Sequence, residues 1–172
     1  MSGGRPVRIL FVCTGNTCRS PLAEWIALTE AKRRGWHHLE VRSAGTLAGA
    51  GYAASRTAEL VAQERGVDVA EHRSRPLTAA GVGWADLVVG MSPGHLQAAL
   101  SLDSGAAAAL ATDYLAPDHP ERGRPVPDPI GGERAVYERT FDLLTECVQG
   151  LFDRLGAGGL PRAREGGRSE GG

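Results

Sequence analysis

Cysteine is scarce in this sequence, with three residues among 172: Cys13, Cys18 and Cys147. This number is small and odd, which argues against a disulfide framework, so we expect reduced thiols. Long apolar runs are also missing, because none approaches the roughly 18 residues of a membrane-spanning helix, and residues 1–6 lack the apolar segment of a signal peptide. These absences predict a soluble cytoplasmic protein with no membrane partner.

Neither sign of charge dominates the sequence. Lysine and arginine total 19 and the acidic residues total 20, which gives a formal net charge of -1 at pH 7. The broad basic field of a nucleic-acid-binding protein is therefore absent, although a local basic pocket remains possible. Hydrophobic residues make up 42% and charged residues 23% of the chain, a composition typical of one globular domain rather than a disordered chain.

Short apolar runs alternate with segments of helical spacing along most of the chain. The predicted strands are Val7–Val12, Leu39–Ser43, Asp86–Met91 and Ala107–Ala111. The predicted helices are Pro21–Arg34, Ala53–Arg65, Pro93–Leu102 and Glu133–Leu155. This order predicts an α/β fold in which a mostly parallel sheet is covered by helices on both faces.

Two segments interrupt this order. Residues 117–132 carry five prolines and three glycines, and a loop of that length in a compact domain usually has a function. Residues 156–172 are rich in glycine and dotted with arginine. We therefore predict one domain over residues 1–155 and a disordered Gly/Arg-rich tail over residues 156–172.

The most informative segment is residues 13–20, Cys-Thr-Gly-Asn-Thr-Cys-Arg-Ser, between the first strand and the first helix. A tight loop that enters a helix turns backbone N–H groups toward one point, and the helix dipole adds positive potential there. Gly15 and Asn16 tolerate the positive φ that such a turn needs. Arg19 offers a bidentate fork to phosphoryl oxygens, and Cys13 is expected to be a thiolate in this field. The segment predicts an anion cradle with its own nucleophile.

Two other kinds of site fit this segment less well. A nucleotide-binding loop is excluded because no Gly-Lys-Ser/Thr follows the glycine. Zinc is favoured by the ligand-like spacing of Cys13 and Cys18, but a second pair at regular spacing is missing and Arg19 would repel a dication. The histidines that could complete such a site are His37, His38 and His72.

Residues 12–24, Val-Cys-Thr-Gly-Asn-Thr-Cys-Arg-Ser-Pro-Leu-Ala-Glu, resemble the signature of the low-molecular-weight protein tyrosine phosphatase family. Asp128-Pro129 in the long loop resembles the general-acid motif of that family. The resemblance implies a three-layer α-β-α fold with a four-stranded parallel sheet and a phosphate-binding loop between the first strand and the first helix. It also implies a phosphatase without metal or cofactor, which acts on a phosphorylated protein and releases inorganic phosphate, itself a competitive ligand.

The resemblance gives a role to each matching position. Cys13 is the implied nucleophile that forms a phosphocysteine, Arg19 holds the oxyanion, and Asp128 acts as proton donor and then as base. Asn16, Ser43 and His72 are implied to form a hydrogen-bonded set that holds the loop in its strained turn. The implied substrate-binding positions are Thr14, Gly15, Asn16, Thr17, Cys18 and Ser20. Ser20 is expected to donate a hydrogen bond to the Cys13 sulfur.

Some of these residues also have ordinary structural interpretations. Cys18 matches a family cysteine that forms a reversible disulfide with the nucleophile, but it is equally a small buried thiol. Taken alone, Asp128 would cap the turn at Pro129 and His72 would be a surface histidine. Cys147 is read as a core residue.

Residues around the loop indicate which phosphoryl group is hydrolysed. A tyrosine-directed pocket needs apolar and aromatic walls, but Ile130 follows Asp128-Pro129, and residues 47–49 offer no ring. Thr17 is polar where many tyrosine phosphatases of the family carry an aliphatic residue. The combination is similar to the bacterial protein arginine phosphatase branch, which favours phosphoarginine as the substrate.

Three alternatives remain. Phosphotyrosine hydrolysis uses the same site. Arsenate reduction needs resolving cysteines near the site, and residues 79–105 contain none. A noncatalytic redox or phosphate-binding module would keep the loop but would have no use for the acid at Asp128.

Overall fold

The fold of the computed structural model, which describes residues 5–156, is built from four strands, five helices and a short 3-10 turn over Ala111–Tyr114. The strands are β1 Val7–Cys13, β2 Leu39–Gly45, β3 Leu87–Gly90 and β4 Ala108–Leu110. The helices are α1 Arg19–Arg33, α2 Arg56–Glu64, α3 Ala79–Trp84, α4 Pro93–Leu102 and α5 Arg134–Gly156.

All strand pairs in the sheet are parallel, in the order β2-β1-β3-β4. β1 therefore lies between β2 and β3, with Cys13 opposite Gly45 and Val12 opposite Gly90. Because parallel strands share their carboxyl ends, the loops that follow β1, β2 and β3 meet at one edge of the sheet. The predicted four-stranded parallel sheet is confirmed.

The side chains of β1 alternate between two cores. Ile9 and Phe11 belong to the larger core, on the face covered by α1 and α5, with α2 packed on α5. Leu10 and Val12 belong to a smaller core, on the face covered by α3 and α4. This period-two alternation, with helices on both faces, is the predicted three-layer α-β-α arrangement.

The largest difference from the predicted elements is α3, which the sequence analysis left out. Its sequence, Ala-Ala-Gly-Val-Gly-Trp, carries two glycines, which lower helix propensity. The Thr78 hydroxyl accepts a hydrogen bond from Gly81 N (3.0 Å), and Val82 packs into the smaller core. The cap and the packing together stabilise a helix that its composition does not favour.

Other predicted boundaries differ by a few residues. α2 begins at Arg56 rather than Ala53, because Ser55 is its N-cap and accepts from Ala58 N (3.4 Å). α5 runs to Gly156, one residue beyond the predicted end of the domain. The predicted disordered tail lies, from residue 157 on, outside the described residues. Within residues 5–156, the helices are too short or too polar to cross a membrane.

Candidate active site

Cys13 ends β1, and residues 14–18 form the loop between β1 and α1, here called the cradle loop. The Cys13 side chain is buried at 2% exposure, and its Sγ lies 2.8 Å from Ser20 Oγ in the first turn of α1. The amino end of α1 carries no acidic residue in its first turn. A thiolate at this position therefore faces the positive end of the helix dipole and a hydroxyl donor.

A directed chain of hydrogen bonds supports this sulfur. The amide of Asn16 donates through Nδ2 to Ser20 Oγ (2.8 Å) and to Ser43 Oγ (2.9 Å). Ser43 donates in turn to a carboxylate oxygen of Glu24. Because Ser20 Oγ accepts from Asn16, the Ser20 hydroxyl proton is free to point at the Cys13 sulfur. The chain thus delivers a donor to the nucleophile.

Asn16 also fixes the backbone of the cradle loop. Its φ is +55°, and it is fully buried. Its Oδ1 accepts from Arg75 N (3.0 Å), and its carbonyl accepts from His72 Nε2 (2.7 Å). The predicted association of Asn16, Ser43 and His72 is therefore present in the geometry. Of the two residues that tolerate a positive φ in the cradle loop, Gly15 and Asn16, only Asn16 adopts it.

The carbonyl groups of the loop segment are bonded to a second loop, residues 46–55, here called the flanking loop. Thr46 N donates to the Cys13 carbonyl (3.0 Å), Leu47 N to that of Thr14 (3.0 Å) and Ser55 N to that of Thr17 (2.8 Å). Within residues 5–156, the N–H groups of residues 15–18 have no backbone acceptor. With its carbonyls held outside and its N–H groups free, the loop has the electrostatics of an anion cradle.

The guanidinium of Arg19 lies beside this loop and is 6% exposed. Its Nη1 donates to the carbonyl of Val126 (3.0 Å), and its Nη2 donates to Thr14 Oγ1 (3.5 Å). Both partners are neutral, so the positive charge is held in place without being neutralised by them. A buried cation next to free N–H groups favours a dianionic ligand.

Asp128 reaches the site from the long loop before α5. Its Oδ2 lies 3.6 Å from Arg19 Nη2, and its side chain is 45% exposed. Its Oδ1 accepts from Ile130 N (3.1 Å) and caps the turn. One carboxylate oxygen therefore caps the turn while the other lies at the site. Gly132 tightens the same turn, since a Cβ there would lie 2.9 Å from the Pro129 carbonyl oxygen.

His95 is a site residue that the sequence analysis missed. It lies in the first turn of α4, is 5% exposed, and places Nε2 3.0 Å from Thr14 Oγ1. Burial, reinforced by the nearby charge of Arg19 and opposed by Asp128, lowers the pKa of His95 to about 4. The one sequence feature that could have indicated His95 is its position shortly after the carboxyl end of β3, since ligands bind at that edge of a parallel sheet.

Cys18, the last residue of the cradle loop, contacts residues at the start of α2 and on α5. Its thiol donates to Ser55 Oγ (3.3 Å) and lies 3.8 Å from the Tyr137 hydroxyl. The disulfide between Cys13 and Cys18 stays a prediction, since both thiols are free here.

Burial raises the pKa of the Cys147 thiol to about 12, as fits a core residue. Within the described residues, no three metal-ligating side chains cluster.

The flanking loop carries an aromatic ring that the sequence analysis did not use. Tyr52 is 65% exposed, and a Cβ added to Gly49 would lie 2.7 Å from its ring. The ring therefore folds back over Gly49, into space that a side chain at that position would occupy. Leu47 in the same loop and Ile130 in the acid loop are also exposed. The rim near the cradle loop is more apolar than residues 47–49 alone suggest.

Comparison with known proteins agrees with this geometry. The family model described as "Low molecular weight phosphotyrosine protein phosphatase" matches residues 8–159. A protein-arginine-phosphatase of Geobacillus stearothermophilus is 38% identical over 87% of this chain and 97% of its own length. A low molecular weight protein-tyrosine-phosphatase of Acinetobacter johnsonii is 30% identical over 81% of this chain and 92% of its own.

Solved structures agree as well. A mutant of the arginine phosphatase YwlE, solved with a phosphorylated active site serine, superposes with a TM-score of 0.79 at 34% identity. The superposition covers 87% of this chain and 96% of that one. The fold is thus shared with an arginine phosphatase over most of both chains.

Proposed function

Since this chain belongs to the low molecular weight phosphotyrosine protein phosphatase family, we propose that it hydrolyses phosphoarginine side chains of proteins in the cytoplasm. The observation that carries this proposal is the convergence of three groups: the Cys13 sulfur with its Ser20 donor, the Arg19 guanidinium, and the Asp128 carboxyl 3.6 Å from that guanidinium. A nucleophile, an oxyanion ligand and a proton donor are the parts that phosphoryl transfer needs.

In the first step, the Cys13 thiolate attacks phosphorus in line with the bond to the leaving nitrogen. An S–P bond forms while the N–P bond breaks, and Asp128, in its protonated form, gives its proton to the departing guanidine nitrogen. The cradle-loop N–H groups and Arg19 hold the equatorial oxygens throughout. The product is a phosphocysteine and an unmodified arginine side chain.

In the second step, water attacks the phosphocysteine, and Asp128, now a carboxylate, takes its proton. The S–P bond breaks, and the electron pair returns to Cys13 as a thiolate. Ser20 stabilises that thiolate through the 2.8 Å contact, which makes sulfur a better leaving group. Inorganic phosphate is released, and as the product it competes with substrate for the cradle loop.

The choice of phosphoarginine rests on the polar Thr17 in the cradle loop and on the charge of Asp128. Once Asp128 has given its proton to the leaving nitrogen, its carboxylate faces a planar, cationic guanidinium product, and a phenol product offers no such charge pair. Thr17 offers a hydroxyl where an aliphatic side chain would favour a phenyl ring. Relatives that are named arginine phosphatases, at 36–38% identity, support the same choice.

Phosphotyrosine is the second candidate substrate, and the position of Tyr52 favours it. An exposed ring beside Gly49, with Leu47 and Ile130 also exposed, offers apolar contact to a phenyl group. Relatives that are named tyrosine phosphatases share the fold and match most of this chain.

The test compares kcat/KM for two peptides of one sequence, one with phosphoarginine and one with phosphotyrosine, and uses Cys13→Ser as the blank. We expect phosphate release from both and a preference for phosphoarginine. A preference for phosphotyrosine would overturn the substrate assignment and leave the chemistry intact. No release from either peptide, or release by Cys13→Ser equal to wild type, would overturn the proposed enzyme.

The role of Asp128 is tested with a series of aryl phosphates. Asp128→Asn should slow esters with poor leaving groups far more than esters with good ones, because only the former need a proton. Asp118→Asn, at an exposed position in the same loop, is the matched control and should leave both rates unchanged. Equal losses across the series in Asp128→Asn would exclude it as the acid.

A further inference from the structure

His95 has no part in the two chemical steps, yet its imidazole lies in the wall of the site. Both ring nitrogens have hydroxyl partners: Nε2 lies 3.0 Å from Thr14 Oγ1, and Nδ1 lies 3.1 Å from Ser92 Oγ. In either neutral tautomer the ring has one donor and one acceptor, and a hydroxyl satisfies each of them. The ring is therefore fixed at both ends rather than free to rotate.

The fold brings this ring to the cradle loop by close packing of α4 on β3. A Cβ at Gly90 would lie 3.2 Å from the Cβ of His95 and 2.8 Å from Leu96 Cδ2. The missing side chain at the last residue of β3 thus lets the first turn of α4 approach the sheet. Because β3 pairs with β1, that turn lies next to the cradle loop.

Thr14 connects His95 to the guanidinium. Its Oγ1 accepts from Arg19 Nη2 (3.5 Å) and is also the partner of His95 Nε2. The other hydrogen-bond acceptor of the guanidinium, the Val126 carbonyl, belongs to a residue whose N–H donates to the Met91 carbonyl (2.8 Å). Both supports of Arg19 therefore trace back to the segment that follows β3.

The pKa of His95 lies below its ordinary value, which favours the neutral imidazole over a general acid at pH 7. Burial comes first and the positive charge of Arg19 second in lowering the pKa of the ring to about 4, while the charge of Asp128 acts in the opposite direction. The imidazole is thus neutral at pH 7. A neutral ring can hold the Thr14 hydroxyl without adding a second positive charge beside Arg19.

We propose that His95 is a positioning residue for the oxyanion site: by holding the Thr14 hydroxyl it fixes the guanidinium of Arg19 where phosphoryl oxygens bind. The inference rests on the proposed function for its meaning, since the ligand of Arg19 is then the transferring phosphoryl group. Donors that are fixed before the reaction stabilise developing charge without reorganisation, so a loosened Arg19 should bind phosphate less tightly and slow turnover.

The test measures the Kd of inorganic phosphate by calorimetric titration, which needs no turnover. Thr14→Val removes the shared hydroxyl, and His95→Leu removes its holder; each should raise the Kd about tenfold. The phosphate Kd of the double variant should be no higher than the higher Kd of the two single variants, because the two residues act through one contact. Thr14→Ser keeps the hydroxyl and His95→Gln keeps a polar group at the reach of Nε2, so both should retain most of the affinity.

His119→Leu is the matched control, because this half-buried histidine contacts Glu146 and accepts from Glu121 N, and it lies in no wall of the site. It should leave the Kd and kcat unchanged. Thermal unfolding of every variant separates a loss of fold from a loss of positioning, and kcat with an aryl phosphate should fall together with phosphate affinity in His95→Leu.

Two results would overturn the inference. One is a lowered Tm in His95→Leu with an unchanged phosphate Kd, which is the result for a merely structural histidine. The other is a double variant whose loss equals the product of the single losses. If the wild type binds phosphate but hydrolyses no substrate, the proposed function fails, while the same Kd comparison still decides the role of His95.

Discussion

The strongest quantitative prediction concerns Asn16, because this buried residue makes three side-chain hydrogen bonds at the site and also adopts a left-handed backbone conformation. We compare Asn16→Gly with Asn16→Ala. Both changes remove the hydrogen bonds to Ser20, Ser43 and the backbone N–H of Arg75. Only the alanine must also adopt the φ of +55° with a Cβ that disfavours it.

The magnitudes follow from these contacts. Three lost hydrogen bonds at about 1 kcal/mol each lower the free energy of unfolding by about 3 kcal/mol in Asn16→Gly. The left-handed backbone costs alanine about 1 kcal/mol more than glycine, so Asn16→Ala should lose about 4 kcal/mol. Both losses are smaller than the stability of an ordinary domain, and the variants should remain folded in buffer.

Equilibrium urea unfolding at pH 7, with the titration of inorganic phosphate beside it, measures both effects. We expect the order of stability wild type, Asn16→Gly, Asn16→Ala, and a weaker phosphate affinity in both variants. An alanine variant as stable as the glycine variant would show that backbone conformation is not what selects asparagine. A loss below 1 kcal/mol in Asn16→Gly would show that the hydrogen-bond chain contributes little.

Three more predictions test other parts of the molecule. Gly150→Ala should lower the Tm markedly, because its Cβ would lie 1.8 Å from the Tyr114 carbonyl oxygen, whereas Gly83→Ala, with open space around it, should not; equal Tm changes would contradict the packing argument. Histidine in the unfolded chain takes up a proton below about pH 6.5, whereas buried His95 does so only near pH 4. Lowering the pH from 7 to 5 should therefore reduce the free energy of unfolding by about 2 kcal/mol more in wild type than in His95→Gln. An equal reduction in both proteins, measured by urea unfolding, would refute this prediction. Thr17→Ile should raise phosphotyrosine turnover relative to phosphoarginine in paired assays, and an unchanged ratio would refute the selector role of Thr17.

The parts of the site that are close together in the sequence could be predicted. Residues 13–20 are consecutive, so a strand before them and a helix after them suffice to place Cys13, Arg19 and Ser20 around one point. Strand positions followed equally well from apolar runs, since β1 and β3 are buried on both faces. Local order and burial pattern carry this information without any knowledge of long-range contacts.

The parts that depend on packing could not be predicted. In the sequence, His95 is an ordinary helix residue. Its place at the site follows only from the pairing of β3 with β1 and from the close approach of α4 to β3 that the missing side chain of Gly90 allows. Similarly, the sequence shows Gly49 without a side chain but not the Tyr52 ring that folds over it. α3 forms because Val82 and the Thr78 cap outweigh two glycines. For His95 the deciding contacts join segments that are remote in sequence, whereas for Tyr52 and α3 they are side-chain packing that residue types alone do not show.

The order of the strands explains why the two reactive groups have separate supports. β1 lies between β2 and β3, and the nucleophile at its end is supported through Ser20 and Asn16 by Ser43 of β2, which in turn donates to Glu24 of α1. The guanidinium of Arg19 is supported from the β3 side. There His95 holds the Thr14 hydroxyl, and the Met91 carbonyl accepts from the N–H of Val126, whose carbonyl binds Arg19. Within residues 5–156, the two hydrogen-bond networks share no side chain. The contact of Ser20 with the thiolate and the placement of the Arg19 guanidinium are therefore set by different side chains, and a substitution in one network acts on one of these properties before the other.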